Sequence, residues 1–182
     1  MKKVFFLAFL LPFFLISCTT NKVPTESKLL DLSSKYYGYV YGTFNHDYSV
    51  RLFEFGQIIK KASEVKNERD IDYLKGRIDA FLLGRPGSFG KIVSVNKEYL
   101  DKIITPELQQ PIFNLLDVME LYISNLEKIV EERNFQKLKQ LQEELKELYQ
   151  LERTINDNRY SNPQDKEMYL AAIQKMVKIM KK

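Results

Sequence analysis

Apolar residues recur at steps of three and four between positions 112 and 130, and this is the clearest pattern in the chain. The repeating positions are Ile112, Leu115, Leu116, Met119, Tyr122, Ile123, Leu126, Ile129 and Val130. Such spacing places one broad apolar face along an α-helix. Thr105 and Pro106 predict where this helix begins, because Thr is a capping residue and Pro suits the first helical position. Pro111 lies inside the same span, and we expect it to delay or kink the helix.

A second apolar stripe follows a short link that runs from Glu132 to Asn134. Its positions are Leu138, Leu141, Leu145, Leu148, Leu151 and Ile155. Asn134 is a capping residue, so the pattern predicts one long helix that starts there. The step from Leu148 to Leu151 shifts the stripe, because Glu152 occupies the position where the repeat would continue. A link this short predicts an antiparallel hairpin of the two helices, from about residue 105 to 158.

The region from about residue 25 to 65 also carries apolar positions at steps of three and four. Asn45-His46-Asp47 is a possible break, at which Asp47 would cap a second helical piece. The segment from Tyr37 to Tyr41 alternates with the period of a strand, but the spacing on both sides of it favours a helix.

Helices are predicted in the remaining segments as well. Asn67 is positioned to cap a helix that stops at Gly84, a loop covers residues 85–90, and a short helix covers residues 96–104. Pro163 opens the last helix. The apolar side of that helix consists of Tyr169, Ala172, Ile173, Met176, Val177 and Met180. The chain is therefore predicted to be all-α, a helical bundle of four to six helices with a long antiparallel helical hairpin.

Residues 1–17, which read MKKVFFLAFLLPFFLIS, have the layout of a secretory signal peptide. Lys2 and Lys3 form a positive start, and an apolar run from Val4 to Ile16 follows. That run is shorter than the roughly 20 apolar residues that a membrane-spanning helix needs. Pro12 further disfavours a long unbroken helix. The segment therefore predicts export rather than a membrane span.

The apolar run ends in Leu15-Ile16-Ser17-Cys18, which resembles the lipobox of bacterial lipoprotein precursors. The resemblance implies that the Cys18 thiol receives a diacylglyceryl group and that a peptidase cuts between Ser17 and Cys18. Two or more acyl chains hold a protein firmly at a membrane. In Gram-negative lipoproteins of this kind, a residue other than Asp after the Cys, here Thr19, implies sorting to the outer membrane. A plain secretory signal with an incidental Cys and an uncleaved anchor remain the alternatives.

On this interpretation residues 1–17 are a signal peptide, residues 18–25 a lipidated tether and residues 26–182 a single helical domain. The formal charge of +4 comes from 28 basic and 24 acidic residues. Loss of Lys2 and Lys3 leaves 26 basic residues and a charge of +2. This excess is too small to indicate a nucleic-acid partner. Because Cys18 is the only Cys, the chain forms no internal disulfide.

Residues for metal binding or catalysis are sparse. The only His forms the pair His46-Asp47, which is more typical of a surface His beside a cap than of a metal site. Glu143, Glu144 and Glu147 lie within one turn of each other, but the interleaved lysines predict intrahelical ion pairs. The loop that follows Gly84 lacks the ending of a P-loop and the context of a nucleophile elbow. The sequence predicts no metal, no cofactor and no catalytic residue.

A cluster of tyrosines is the first candidate binding surface. The tyrosines are Tyr36, Tyr37, Tyr39 and Tyr41, and the aromatic cluster extends to Phe44 and Tyr48. Their positions point around most of a helix, so they cannot all enter one core. Gly38 and Gly42 would let another backbone approach closely, and tyrosines are favoured at protein interfaces. The alternative is an ordinary core helix with tyrosines at its rim.

A group of lysines near the C-terminus is the second candidate surface. It comprises Lys175, Lys178, Lys181 and Lys182. Lysines at this end of a helix complement the helix dipole, which is the simpler explanation. The functional interpretation is contact with anionic lipid headgroups or lipopolysaccharide phosphates.

These features predict a non-enzymatic lipoprotein of the bacterial envelope that binds another protein, as an assembly or stabilising factor or in a surface interaction. A helical carrier or sensor of a small apolar or anionic ligand is the alternative. An enzyme that uses carboxylates alone is the third hypothesis. Exposed tyrosines with a filled core would favour the first, an apolar cavity the second, and converging carboxylates the third.

Overall fold

The computed structural model describes residues 26–84, 97–157 and 163–182. The helices in these ranges are α1 (Glu26–Ser63), α2 (Glu68–Leu83), α3 (Lys97–Ile103), α4 (Pro106–Glu131), α5 (Phe135–Gln140), α6 (Gln142–Asp157) and α7 (Pro163–Met180). These ranges contain no strand, so the predicted all-α class is confirmed. The signal and tether predicted for residues 1–25 and the loop predicted for residues 85–90 lie outside the described residues.

The chain forms two compact units, residues 1–36 and 37–182. In the first unit, the described part is the beginning of α1, where Lys35 pairs with Asp31 at 2.8 Å. The second unit holds the rest of α1 and the other described helices. Their buried apolar side chains form one contiguous core.

Helix α1 is continuous through Asn45-His46-Asp47, so the predicted break at these residues is wrong. Phe44 and Tyr48 are both buried, one on each side of these three residues, and their rings stack with centroids 5.8 Å apart. Packing of these rings outweighs the weak helix propensity of Asn and Asp, which is a small effect per residue. The same continuity confirms the helical interpretation of Tyr37 to Tyr41.

Three predicted capping residues act as expected. The Asn67 side chain accepts a hydrogen bond from the Asp70 amide at 3.1 Å. The Gly84 amide donates to the Ala80 carbonyl at 3.0 Å and ends α2. The Asn134 side chain accepts from the Lys137 amide at 2.9 Å. Each of these bonds satisfies a backbone group that a helix end leaves without an intrahelical partner.

Helix α4 begins at Pro106 as predicted, but the Thr105 side chain makes no capping hydrogen bond. The helix continues through Pro111, so Pro111 does not delay it. Its buried side chains are Leu108, Ile112, Leu115, Val118, Met119, Ile123, Leu126 and Val130. Proline lacks an amide hydrogen and so removes one helical hydrogen bond at this point. Buried residues precede and follow Pro111, and this packing holds the helix together across the gap in its hydrogen bonding.

The predicted long helix after Asn134 is divided at Leu141, where α5 ends and α6 follows. Leu141 has a ψ of −5°, whereas a regular α-helix has a ψ of about −42°. The Leu141 amide still donates to Lys137, and the Leu145 amide donates to Leu141. The helical path therefore continues through the division with one locally distorted residue.

The predicted shift of this apolar stripe at Leu151 is also wrong. The sequence suggests that the apolar stripe shifts to Leu151, but Leu151 is only half-buried and Glu152 is completely buried. The buried positions are Leu145, Leu148, Glu152 and Ile155. The three-and-four spacing therefore continues without a shift, and a carboxylate occupies a core position.

A hydrogen bond between α4 and α6 confirms the antiparallel hairpin. The Tyr122 hydroxyl donates to Glu144 at 3.0 Å. These two residues are equally distant in sequence from Arg133 in the link, which is the pairing that an antiparallel hairpin produces. The Arg133 guanidinium donates to Glu68 and to Asp72 of α2, the latter at 2.8 Å. Helix α7 packs against both α4 and α6.

A buried arginine joins the first helix to this hairpin. The Arg51 guanidinium lies over the Phe81 ring, 3.3 Å from its centroid, and donates to the Phe81 carbonyl at 2.5 Å. It also donates to Glu120 of α4 at 3.4 Å. Because a buried charge is costly unless it is paired, these contacts account for an arginine inside the core.

Candidate functional site

The four tyrosines at the start of α1 differ in their exposure. Tyr36, Tyr39 and Tyr41 are 58%, 68% and 45% exposed, and Tyr36 belongs to the first compact unit. Tyr37 is half-buried, and the Lys102 ammonium lies 5.1 Å from the centroid of its ring. In the second unit, Tyr39 and Tyr41 therefore remain on the surface, whereas Tyr37 packs against α3.

Two glycines leave open space between these tyrosines. A Cβ atom placed on Gly38 or Gly42 would meet no other atom within 4 Å. The expectation that another chain could approach closely here is compatible with this openness. Each of these glycines is itself exposed.

The exposed surface continues along α1 beyond the tyrosines. We define the outer face of α1 as Tyr39, His46, Val50 and Phe53, all of which are exposed. Steps of seven, four and three residues keep these side chains on one side of a helix. Single exposed apolar residues are normal, but an aligned series of them is typical of an interaction site.

A buried pair of tyrosine hydroxyls lies beside α1 and was not anticipated from the sequence. The Tyr48 and Tyr169 hydroxyls form a hydrogen bond of 2.7 Å between α1 and α7. The sequence predicts both residues on helices, and Tyr169 on the apolar side of α7, but no local pattern pairs residues so far apart in the chain.

Next to this pair, Asn156 of α6 is held in a fixed position by three hydrogen bonds. Its side-chain oxygen accepts from the Ser49 hydroxyl at 2.6 Å. Its amide nitrogen donates to the Ser49 carbonyl at 3.3 Å and to Glu152 at 3.2 Å. The amide of Asn156 thus connects α1 to the buried carboxylate of α6.

Glu152 itself occupies a space that glycine provides. A Cβ atom on Gly56 of α1 would lie only 2.1 Å from the Glu152 carboxylate. Arg153 donates two hydrogen bonds to this carboxylate, at 2.8 and 2.6 Å. Burial raises the pKa of Glu152, and the hydrogen bonds from Arg153 and Asn156 oppose that effect without cancelling it.

A cleft of about 470 Å³ opens between α1, the end of α6 and α7. It is lined by Tyr41, Gly42, Asn45, His46, Tyr48, Ser49, Val50, Ile155, Asn156 and Tyr169. The cleft thus includes one of the predicted tyrosines and the only His of the chain. Its volume lies within the range of about 300 to 1,000 Å³ that small-molecule pockets cover.

The three α6 carboxylates for which the sequence predicts intrahelical ion pairs have separate partners, and one of them forms such a pair. Glu143 pairs with Lys146 at 2.8 Å, which is an intrahelical ion pair as predicted. Glu144 accepts from Tyr122 of α4, and Glu147 pairs with Lys175 of α7. Among the described residues no group of three or more His, Cys, Asp or Glu side chains is placed to hold a metal ion.

Two of the four C-terminal lysines, Lys175 and Lys181, make polar contacts within the protein. Lys175 lies 2.7 Å from Glu147, and its hydrogen bond lowers the pKa of that carboxyl. Lys181 donates to the Asn114 side chain at 3.3 Å. Lys178 is exposed beside a groove between α4 and α7, and Lys182 is exposed at the end of the chain. Contact of this group with anionic lipid stays a prediction.

Cys18, the predicted lipidation site, lies outside the described residues. In the part of the chain that the structure describes, no helix is both long and apolar enough to cross a membrane. No protein-family model matches the chain, and comparisons with curated proteins and with solved structures find no significant match.

Proposed function

We propose that this protein is a non-enzymatic lipoprotein of the bacterial envelope that binds another protein through the outer face of α1. The N-terminal sequence supports the anchor: two lysines, an apolar run and the Leu15-Ile16-Ser17-Cys18 lipobox occur in the order that lipoprotein precursors have. The proposal places the protein at the outer membrane if the source is Gram-negative, since Thr19 follows the Cys.

The observation that carries the proposal is the exposure of aligned apolar side chains on α1. Tyr39, Val50 and Phe53 share one side of the helix and are exposed together. Aromatic residues contribute a large contact area at low entropic cost, which suits them to protein interfaces. Gly38 and Gly42 add open space in which a partner can approach the backbone.

The packing of the interior supports partner binding over transport of an apolar ligand. Side chains of α1, α2, α4, α6 and α7 fill one core, and many of them have no solvent exposure. The carboxylates on α6 pair with three different residues and do not converge. We therefore place the function on the surface of the bundle.

Replacement of Tyr39 by Ala tests the proposal. Tyr39→Ala should reduce recovery of the partner when the protein is purified after crosslinking in intact cells, because Tyr39 is the most exposed of the four tyrosines at the start of α1. Thermal melting should stay nearly unchanged. Tyr73→Ala is the matched control, because Tyr73 is 57% exposed on α2 and lies outside the outer face.

Three outcomes would count against this assignment. Recovery of the partner that is equal in wild type and Tyr39→Ala would remove the outer face from the interface. An equal loss in Tyr39→Ala and Tyr73→Ala would indicate a non-specific effect. A large drop in melting temperature for Tyr39→Ala would make Tyr39 a structural residue.

The anchor is tested independently. Labelled fatty acid should be incorporated into the wild-type protein but not into Cys18→Ala, and Cys18→Ala should leave the membrane fraction. Absence of label in the wild type would contradict the lipoprotein assignment. The partner-binding proposal would still be decided by the comparison of Tyr39→Ala with Tyr73→Ala.

A further inference from the structure

A second cleft lies at the end of the bundle where α1 stops, and we call it the basic cleft. It opens between the end of α1, the start of α2 and the first half of α6, and its volume is about 760 Å³. The link that joins α1 to α2 beside this cleft is described throughout. The charged residues among its lining are Lys60, Lys61, Glu64, Lys66, Asp70 and Lys146.

Two of these lysines are paired with carboxylates of the protein. The Lys61 ammonium donates to Asp70 at 2.5 Å, and this hydrogen bond lowers the pKa of the Asp70 carboxyl. Lys146 pairs at 2.8 Å with Glu143 of the same helix. An ammonium that already has a carboxylate partner attracts a further anion less strongly, because the two charges offset each other.

Lys60 and Lys66 are the cations that the basic cleft offers to a partner. Both side chains are exposed, and within the described part of the chain neither has a carboxylate at ion-pair distance. The Lys60 ammonium lies 5.6 Å from the centroid of the Tyr149 ring of α6. Glu64 offsets part of this positive charge, but the described lining still holds four lysines and two carboxylates. The basic cleft therefore favours a negatively charged partner.

The basic cleft continues the outer face of α1. Phe53 and Lys60 are seven residues apart on one continuous helix, so they lie on the same side of it and about 10 Å apart along its axis. The distance along the axis from Tyr39 to Lys60 is about 32 Å. A partner that lies along this side of α1 therefore meets aromatic and apolar side chains first and lysines at the end.

We propose that the protein partner of the outer face carries acidic side chains that bind in the basic cleft. This inference rests on the proposed function, because it concerns the same partner. Apolar packing alone allows a partner to lie in either direction along α1, whereas lysines at one end favour the direction that brings carboxylates to them. The partner segment thus combines an apolar part, which covers Tyr39 and Phe53, with an acidic part next to it.

Photo-crosslinking at two positions tests whether one partner reaches both surfaces. The photo-reactive amino acid is placed at position 39 or at position 150 of the full chain, in cells that make the protein. Gln150 is exposed and lines the basic cleft, so this position samples the cleft while every lysine stays in place. Both positions should give a product with the same protein. Mass spectrometry should map the product from position 150 to a partner segment rich in Asp and Glu.

Replacement of the two available lysines tests the role of charge. Lys60→Glu combined with Lys66→Glu should lower the yield of the product from position 39 by about tenfold, because repulsion replaces attraction. Lys60→Gln combined with Lys66→Gln should lower it by about threefold, because only the attraction is lost.

A matched control separates the basic cleft from a general effect of net charge. Lys128→Glu combined with Lys139→Glu changes the net charge by the same amount, and these two exposed lysines do not line the basic cleft. This variant should give the wild-type yield from position 39. All three double variants should melt close to the wild-type temperature, because the replaced side chains are exposed.

The possible outcomes distinguish this inference from the proposed function. The inference is overturned if both variants at Lys60 and Lys66 keep the wild-type yield, or if the control lowers the yield as much as they do. It is also overturned if position 150 gives no product, or crosslinks to lipid, to a different protein or to a partner segment without an excess of Asp and Glu. In each of these cases a discrete protein product from position 39 still supports the outer face. The lack of any product from position 39 would overturn both proposals.

Discussion

Two opposite sides of α1 carry similar apolar residues, but one side is buried and the other is exposed. The inner face, which we define as Phe44, Tyr48, Leu52 and Phe55, is buried. The outer face carries Tyr39, Val50 and Phe53 and is exposed. At about 100° per residue the two faces lie on opposite sides of the helix. Apolar composition alone therefore does not decide which side of this helix enters the core.

Specific partners on other helices make the inner side the buried one. The Tyr48 hydroxyl forms a hydrogen bond with that of Tyr169. The Arg51 guanidinium donates to the Phe81 carbonyl and to Glu120. Gly56 leaves space for the Glu152 carboxylate. On the outer face, the Arg153 guanidinium lies 5.5 Å from the centroid of the Phe53 ring, which is nevertheless 46% exposed. The inner face is complementary to its surroundings, and the outer face is open for a further partner.

Two phenylalanines give the sharpest test of this difference. Phe55→Ala should lower the free energy of unfolding by about 3 to 5 kcal/mol, because it leaves a cavity in the core. Phe53→Ala should cost about 1 kcal/mol or less, because Phe53 is 46% exposed. Chemical denaturation of both variants measures the contrast. Equal losses would show that the two faces are not distinct.

Two glycines of α1 should respond to the same substitution with opposite signs. Gly56→Ala should destabilise by about 1 to 3 kcal/mol, because the new methyl group meets the Glu152 carboxylate. Gly42→Ala should stabilise by about 0.5 to 1 kcal/mol, because its Cβ meets nothing and alanine loses less entropy in a helix. Thermal melting compares them, and destabilisation by Gly42→Ala would contradict the open surface.

The hydrogen bond between the Tyr48 and Tyr169 hydroxyls allows the contribution of one contact of the inner face to be measured. Tyr48→Phe or Tyr169→Phe alone should cost about 0.5 to 1.5 kcal/mol, because each removes this buried hydrogen bond. The double variant should cost less than the sum of the two single losses. Strict additivity in a double-mutant cycle would mean that the two hydroxyls do not interact.

The buried carboxyl of Glu152, which lies beside Gly56 of α1, makes the stability of the protein depend on pH. Since its folded pKa is raised, the folded state holds its proton more tightly than the unfolded state does, and the stability it contributes falls as pH rises above about 4.5. Glu152→Gln should therefore gain stability relative to the wild type between about pH 4.5 and 7. Unfolding free energies of the wild type and of Glu152→Gln, measured at about pH 4.5 and at about pH 7, check this. The prediction is wrong if the wild type gains stability relative to Glu152→Gln as the pH rises.

Much of the helical framework follows from local signals in the sequence. The periodicity of α4 and α7 and the caps at Asn67 and Asn134 act over a few residues, so sequence patterns identify them. The continuity of α1 does not, because packing of Phe44 and Tyr48 overrides the weak propensity of the residues between them. A sequence pattern alone would also place Glu152 at the surface.

The candidate surfaces also include one feature that the sequence predicts and one that it does not. Exposure of Tyr39 and Tyr41 agrees with the argument that clustered tyrosines cannot all enter one core. The cleft depends on the meeting of Ser49 with Asn156 and of Tyr48 with Tyr169, which are distant in the chain. Such pairings arise only from the fold, so the sequence alone does not predict the cleft.

The central claim is that a protein partner contacts the outer face of α1 in the envelope. The most direct measurement places a photo-crosslinking amino acid at position 39 or, as control, at position 73, in cells that make the native protein. Position 39 should give a discrete crosslinked product with one protein, and position 73 should give none. No product from position 39, or the same product from both positions, would contradict the claim.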